Sequence, residues 1–228
     1  MAKKRKNSNY VTPKRLEARA AAEKEKRKKK IKKIVKPIVI CAISLIVIAA
    51  VIVLSVFAVR NWGQSFEATH HAAIEIEGYG TVHLELYGNE APATVANFIK
   101  LARSGYYDGS DFHRIIEGFM AQGGKGDVTA DTIKGEFTQN GFDNPIKHRR
   151  GVISMARPNS FDGASSEFFI MHKNNTTLDG LYAAFGRVTE GMDIIDAICE
   201  NAKPTDNNGS IAEVDRPVIK TVSIHEVH

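Results

Sequence analysis

The segment Phe112-His113-Arg114-Ile115-Ile116-Glu117-Gly118-Phe119-Met120-Ala121-Gln122-Gly123-Gly124 combines an apolar run broken by one cation with a glycine pair at its end. Phe112 to Ile116 has the length of a strand, and an arginine inside such a run is ordinarily a surface charge at a strand edge. The continuation Gln122-Gly123-Gly124-Lys125-Gly126 has the outline of a phosphate-binding loop and fails it. Phe119 stands where the first glycine belongs, and Gly126 where Ser or Thr should follow the lysine. Nucleotide chemistry is therefore not indicated.

Working outward, Ala73-Ile74-Glu75-Ile76-Glu77 and Thr81 to Tyr87 alternate apolar with polar, the period of half-buried strands, and Gly78-Tyr79-Gly80 turns between them. Pro92 opens a helical stretch, Thr94 to Arg103, with Val95, Phe98, Ile99 and Ala102 on one face and Gly105 just past its end. Further apolar runs fall at Thr132 to Phe137, Gly151 to Met155, Phe168 to Met171 and Ala183 to Val188. Gly191 to Glu200 reads as a second helix, and Pro217 to Val227 as a closing strand. Many short strands with only two helices predict a mainly β fold, a closed antiparallel barrel rather than a parallel α/β sheet. Gly163-Ala164-Ser165-Ser166-Glu167 lacks the second glycine of a nucleophile elbow.

The charge is split along the chain. Residues 1–36 carry 16 Lys+Arg against 3 acidic residues; the remaining 15 Lys+Arg and 23 acidic residues lie in 37–228, so a basic arm (+13) precedes an acidic remainder (−8). Within the arm, Leu16 to Lys33 is rich in helix formers, with Glu23/Arg27 and Glu25/Lys29 spaced i,i+4. Ile38 to Val59 is 22 residues without a formal charge, enough for roughly 33 Å of helix and one membrane crossing. Lys32, Lys33 and Lys36 precede it and Arg60 alone follows, so the positive-inside bias predicts a cytoplasmic arm and an extracytoplasmic remainder, with Trp62 at the outer interface. The arm is read as a topology determinant near anionic lipid, and no nucleic-acid partner is expected. Val56-Phe57-Ala58 offers a cleavage arrangement after Ala58, but the apolar run exceeds the roughly 7 to 15 residues of a signal-peptide core, which favours an uncleaved anchor.

The expected organisation is a basic arm (1–36), a transmembrane signal-anchor (37–60), a linker (61–71) and a globular domain (72–228). His70-His71 has no third ligand near in sequence and is read as solvated linker, with no metal site. Two cysteines, Cys41 and Cys199, exclude a disulfide-stapled scaffold, and on this topology they cannot pair within one chain.

The segment Phe112–Gly124 resembles the signature of the cyclophilin family of peptidyl-prolyl cis-trans isomerases. Ser154-Met155-Ala156, Ser166-Glu167-Phe168-Phe169-Ile170, Leu178-Asp179-Gly180 and Phe185-Gly186-Arg187-Val188 follow in that family's order and approximate spacing. The resemblance covers about residues 72–228. It implies an eight-stranded antiparallel barrel with a helix closing each end, a groove on its outside, and no cofactor. Matched by position, it implies that Arg114 is the key cation, that Phe119, Met120, Phe169 and Leu178 form a proline pocket, and that Gln122 holds the arginine. His113, Ile116, Ala156 and Arg157 match further groove positions, and His113 is read as structural because the reaction moves no proton. The partners expected are exposed or unfolded proline-containing segments of secreted or surface proteins.

Four departures stand out. Glu167 replaces the family's usual glutamine: reaching Arg114 it would compete with substrate, and pointing outward it would favour basic residues beside the proline. Thr177 occupies a position where an aromatic commonly contacts cyclosporin, so weak drug binding is expected. Tyr182 replaces a histidine, and Glu117 a proline. A second reading is a proline-binding scaffold or holding chaperone in which Glu167 neutralises Arg114.

Overall fold

The structure, a computed structural model, describes residues 65–227 and, before them, Lys24, Glu25, Arg27, Lys28, Lys30 and Val35, all of which are helical. The chain divides into two compact units, Met1–Gly63 and Gln64–His228. Ile38 to Val59 lies outside the described residues. Among the described residues no helix is long and apolar enough to cross a membrane.

In the second unit the elements run β1 (His70–Ile76), β2 (Gly80–Leu86), α1 (Pro92–Arg103), β3 (Arg114–Ile116), β4 (Met120–Gly123), β5 (Val152–Met155), β6 (Phe168–Met171), β7 (Ala184–Glu190), α2 (Met192–Asn201) and β8 (Ile219–Glu226). The eight strands form one antiparallel sheet in the order β3-β4-β6-β5-β7-β2-β1-β8. The unit is folded from Phe66 onward: its ring lies 5.3 Å from that of Tyr87, and His70 and His71, read as linker, are the first residues of β1.

The closed barrel expected from the sequence is corrected to an open sheet, because β3 and β8 share no ladder. The outer edge of β3 bonds instead to a loop: Ile115 N–H donates to Gly209 O (2.8 Å) and Ile211 N–H to His113 O (2.9 Å). Ile219, the first residue of β8, bonds to residues ahead of β3, its N–H to Ser110 O (2.7 Å) and its carbonyl to Gly109 N–H (2.8 Å). Irregular backbone rather than a strand fills the seam and satisfies the outer edge of β3. Thr132–Phe137 is likewise not a strand. Only Ile133 bridges Ala164, while Met120–Gly123, unread in the sequence, is.

The pleat separates two apolar layers. Ile115, Ala121, Ile153, Phe168 and Ile170 point into the main core, where the Phe98 ring lies 5.2 to 5.6 Å from those of Tyr107, Phe168 and Phe185. Their neighbours Met120, Val152, Phe169 and Met171 point outward into a second cluster. Helix α1 buries Val95, Phe98, Ile99 and Ala102, the face expected from its spacing, and α2 buries Ile195, Ile198 and Cys199. Burial pushes the Cys199 thiol up to about 12, so it packs as an apolar side chain.

Helix α1 begins at Pro92 with no local side-chain cap. Its orphan donors are met from a distance: buried Glu136 accepts from Ala93 N–H (2.9 Å) and Thr94 N–H (2.8 Å) through its two carboxylate oxygens. This is why the 132–137 run does not spend itself as a strand. A carboxylate at a helix N-terminus is favoured by charge-assisted hydrogen bonds and by the helix dipole. Glu136→Ala is expected to destabilise the unit by about 2 kcal/mol, leaving the buried Thr94 N–H and the more exposed Ala93 N–H without their acceptor, and to lower Tm by roughly 6 °C. Glu136→Gln, which keeps one acceptor, is expected to lose less. Thermal melts of the three proteins check this.

Candidate active site

The strand register lines up the residues of the site. Arg114 pairs with Gln122, Gln122 with Phe169, and Phe169 with Ser154, giving one row across β3, β4, β6 and β5. One step along, Ile116 pairs with Met120 and Met120 with Met171. Because residues two apart share a face, Arg114, Gln122 and Met120 emerge outside while Ile115 and Ala121 go to the core.

On that outer face lies a cavity of about 200 Å³. Met120, Phe169 and Leu178 join Phe119 and Ala156 as its apolar lining; Arg114 and Gln122 are polar lining, and Arg157 and Tyr182 complete it. Its volume is below the range of drug-sized sites, and it fits a side-chain-sized ring. Phe169 is nearly buried, with the Tyr182 ring edge-on to it at 5.7 Å.

Arg114 is held on two sides. Its Nε donates to Asn208 O (2.8 Å) and its Nη1 to Gln122 Oε1 (3.2 Å), while Nη2 makes no hydrogen bond among the described residues. Asn208 is presented by a turn that Asp206 organises, accepting from the N–H groups of Asn208 and Ser210 and from the Ser210 hydroxyl. Gly209 in this turn has φ +85°, and a Cβ there would stand 2.7 Å from Ile115 O, so only glycine lets the turn approach β3 this closely.

Arg157 is also immobilised. It lies 4.8 to 5.0 Å from the centroids of Phe137, Phe161 and Tyr182, and its Nε donates to Leu181 O (3.0 Å). It forms a wall rather than a free cation. Phe119 is fixed through its backbone: its carbonyl accepts from His172 N–H (2.9 Å), and the preceding Gly118 N–H donates to His172 Nδ1 (2.9 Å).

The remaining residues singled out in the sequence stand apart from the cavity. Ile116 packs at the edge of the second apolar cluster, and Thr177 is exposed, donating through Oγ1 to Asn175 Oδ1 (2.6 Å). His113 and Glu167 line an adjoining cavity of about 650 Å³. Glu167 does not bond to Arg114. Its Oε2 accepts from Gln122 Nε2 (2.9 Å) and lies 3.3 Å from His113 Nε2.

The sequence reading missed the support behind Phe169. His148 stacks on that ring (centroids 6.0 Å, 19° between planes) and is fully buried. Its Nδ1 faces Asp179 Oδ1 (3.1 Å) and its Nε2 faces Ser154 Oγ (3.1 Å). A carboxylate only accepts, so Nδ1 carries the proton and Nε2 accepts from the serine hydroxyl. Although the three residue types are those of a hydrolase triad, Ser154 has no exposed surface, so the arrangement is a brace and not a nucleophile.

Residues 71–228 match the family described as cyclophilin type peptidyl-prolyl cis-trans isomerase/CLD. A peptidyl-prolyl cis-trans isomerase of Acinetobacter baylyi is 38% identical over 156 residues, covering 64% of this chain and 79% of the relative. Peptidyl-prolyl cis-trans isomerase A of Dickeya dadantii is 36% identical over 186 residues, covering 76% of this chain and 93% of the relative. A crystal structure of a Cryptosporidium parvum cyclophilin-type isomerase superimposes with TM-score 0.60 at 28% identity, over 70% of this chain and 99% of that one. The same isomerase solved in the presence of the dipeptide Ala-Pro gives TM-score 0.58 at 27% identity, over 69% and 99% of the two chains.

Burial holds the His148 imidazole below its usual pKa, against the pull of Asp179. The unfolded chain therefore takes up a proton near pH ~6.5 that the folded chain does not, and stability present above that pH is lost as pH falls. Tm is expected to drop by a few degrees between pH 7 and pH 5, and His148→Gln to flatten that dependence. Melts of both proteins at the two pH values check it.

Proposed function

The chain belongs to the cyclophilin-type peptidyl-prolyl cis-trans isomerases, and from that premise we propose that Arg114 is the group that drives its X-Pro isomerisation, on polypeptides outside the cytoplasmic membrane. The activity itself is peptidyl-prolyl cis-trans isomerisation. The observation that carries the assignment of Arg114 is its place in the lining of an apolar cavity of ring size, with only its Nε and Nη1 hydrogen-bonded among the described residues.

Rotation about an X-Pro bond is opposed by amide resonance, with a barrier of about 18 to 20 kcal/mol and uncatalysed times of tens of seconds. No bond is made or broken, so no nucleophile, metal or redox group is required. In the planar amide the proline nitrogen lends its lone pair to the carbonyl and cannot accept a hydrogen bond. In the twisted amide the lone pair returns to nitrogen. A donor aimed at that nitrogen therefore binds the transition state selectively, which is the condition for acceleration. Arg114 supplies the donor and remains charged throughout.

Reaching millisecond turnover requires about 5.5 kcal/mol of differential binding. A charge-assisted hydrogen bond supplies about 1.5 to 3 kcal/mol of this. The rest falls to the cavity, where Phe119, Met120, Phe169 and Leu178 hold the proline ring still while the preceding residue turns. Arg157 and Tyr182 bound the groove's far end. Glu167, bonded to Gln122 and His113 and not to Arg114, leaves the cation unquenched, and this favours catalysis over a scaffold that only binds. With Thr177 exposed and small, cyclosporin binding is expected to be weak.

The setting follows from the arm and the apolar run: a cytoplasmic arm (1–36), an anchor (37–60), a short linker and an isomerase acting on secreted or surface proteins as they fold. The supporting observations are the charge asymmetry and the 22 uncharged residues of Ile38 to Val59.

Arg114→Ala is expected to reduce kcat/KM on an Ala-Pro peptide by about 10²-fold, with Arg114→Lys intermediate because an ammonium cannot reach Asn208 O, Gln122 Oε1 and the substrate together. A peptide isomerisation assay decides it, and wild-type rates in Arg114→Ala would remove Arg114 from the mechanism. For the setting, external protease on intact cells is expected to degrade residues 72–228 and spare the arm. The membrane fraction is expected to yield a chain whose mass includes residues 1–58. Recovery of the isomerase in the soluble cytoplasmic fraction would overturn the anchored topology.

A further inference from the structure

Gln122 stands between two groups of opposite hydrogen-bonding character. Arg114 can only donate, and the ionised Glu167 can only accept. The amide meets both at once, with Oε1 on Arg114 Nη1 (3.2 Å) and Nε2 on Glu167 Oε2 (2.9 Å). Flipping the amide would set its N–H groups against the guanidinium donors and its oxygen against the carboxylate, losing both bonds in a half-buried place. A glutamine at 167 would impose no such choice, because it can rotate to offer either oxygen or nitrogen.

We propose that Glu167 is a positioning residue for the isomerisation, acting through Gln122 to hold the Arg114 guanidinium with Nη2 toward the substrate. The proposal rests on Arg114 being the group that meets the twisted amide. The carboxylate is itself braced. His113, from the segment ahead of β3, lies 3.3 Å from its Oε2, and Lys125, from the loop after β4, is a further nearby cation. Behind His113 stands Asp111 (3.9 Å from Nδ1), which is paired with Arg216 (3.2 Å). The His113 bond, aided by the Gln122 bond, holds the Glu167 carboxyl below the usual carboxylate range despite partial burial, so it stays an acceptor at neutral pH.

The relay thus runs from His113 to Glu167, Gln122, Arg114 and the carbonyl of Asn208. It gives His113 a place in the site without a proton to move: it is the outermost brace. The competing use of the same carboxylate is direct attraction of a cationic substrate residue entering the 650 Å³ cavity whose wall Glu167 shares. The two uses differ in whether Gln122 is needed and whether substrate charge matters.

A double-mutant cycle on the full-length protein separates them, using Ala-Pro peptides with Lys, Ala or Glu placed before the alanine. Glu167→Gln is expected to lower kcat/KM about 3- to 10-fold on all three peptides alike, through kcat with KM nearly unchanged. In a Gln122→Ala background the same substitution is expected to change kcat/KM less than 2-fold, because the link is already cut. Gln122→Met replaces Gln122→Ala if the smaller side chain does not fold. The Arg114 Nε–H signal in NMR is expected to be sharp in the wild type and to broaden in Glu167→Gln. The proposal is overturned if Glu167→Gln leaves kcat/KM unchanged or raises it, if its full effect survives without Gln122, or if the effect tracks the peptide's charge. A large loss on Arg114→Ala together with any of these outcomes rejects the relay while leaving the Arg114 assignment standing.

Discussion

The site depends on the two-residue period of the pleat in four short strands. Along β3, β4 and β6, alternate side chains go to the main core or to the outer face, so the same few residues build both layers. Ile115, Ala121, Phe168 and Ile170 are committed to the interior. That commitment fixes Arg114, Gln122, Met120 and Phe169 outside, in register across neighbouring strands. A slip of one residue in β3 would bury the guanidinium and expose Ile115, and a slip in β6 would bury Met171 and Phe169 in the core and expose Phe168 and Ile170. The arginine's position is thus enforced by the burial of its large apolar neighbours, each worth about 1.5 to 3 kcal/mol, acting together with its own two hydrogen bonds.

Polar groups next to an apolar groove have to be satisfied, and this fold does so with carboxylates acting at long sequence separation. Glu136 caps a helix that begins 44 residues earlier, at Pro92. Asp179 fixes the tautomer of His148, which supports Phe169 from behind. Asp206 shapes the turn that offers the Asn208 carbonyl to Arg114. In each case an acceptor-only group removes an ambiguity in hydrogen bonding, and a ring, a helix end or a guanidinium is left with one orientation.

Much of this was legible in the sequence. The strands with clear alternation, β1 and β2, and the helix opened by Pro92 follow from local pattern, because one face of each is buried and the other is not. The segment Phe112–Gly124 carried the family resemblance, and nine of the residues singled out through it line one cavity. What escaped was set by non-local contacts. Thr132–Phe137 has strand composition, but Glu136 is drawn to the α1 N-terminus. Met120–Gly123 is a strand despite its glycine and glutamine, because β3 and β6 flank it on both edges. Asn208 contributes a backbone carbonyl, which no side-chain pattern announces, and the seam between β3 and β8 is made by loops whose path the apolar pattern does not encode. The apolar run Ile38 to Val59 falls outside the described residues.

The presence of a carboxylate near Arg114, the cation proposed to meet the substrate, looks at first like a contradiction, since a direct glutamate–arginine pair would use the guanidinium's fork and take its donors from the substrate. The geometry resolves it by interposing a neutral amide. Glu167 engages Gln122 and His113 through Oε2, and Arg114 engages Asn208 and Gln122 through Nε and Nη1, so the two charges meet through the amide and not directly. What passes between them is orientation. The amide dipole is held with its oxygen toward the cation, and the guanidinium plane follows. A site that must favour a briefly basic nitrogen over a planar amide gains more from a donor that does not wander than from a stronger one, because selectivity for the transition state rests on direction as much as on charge. The departure from glutamine at 167 is, on this argument, a tightening of the site.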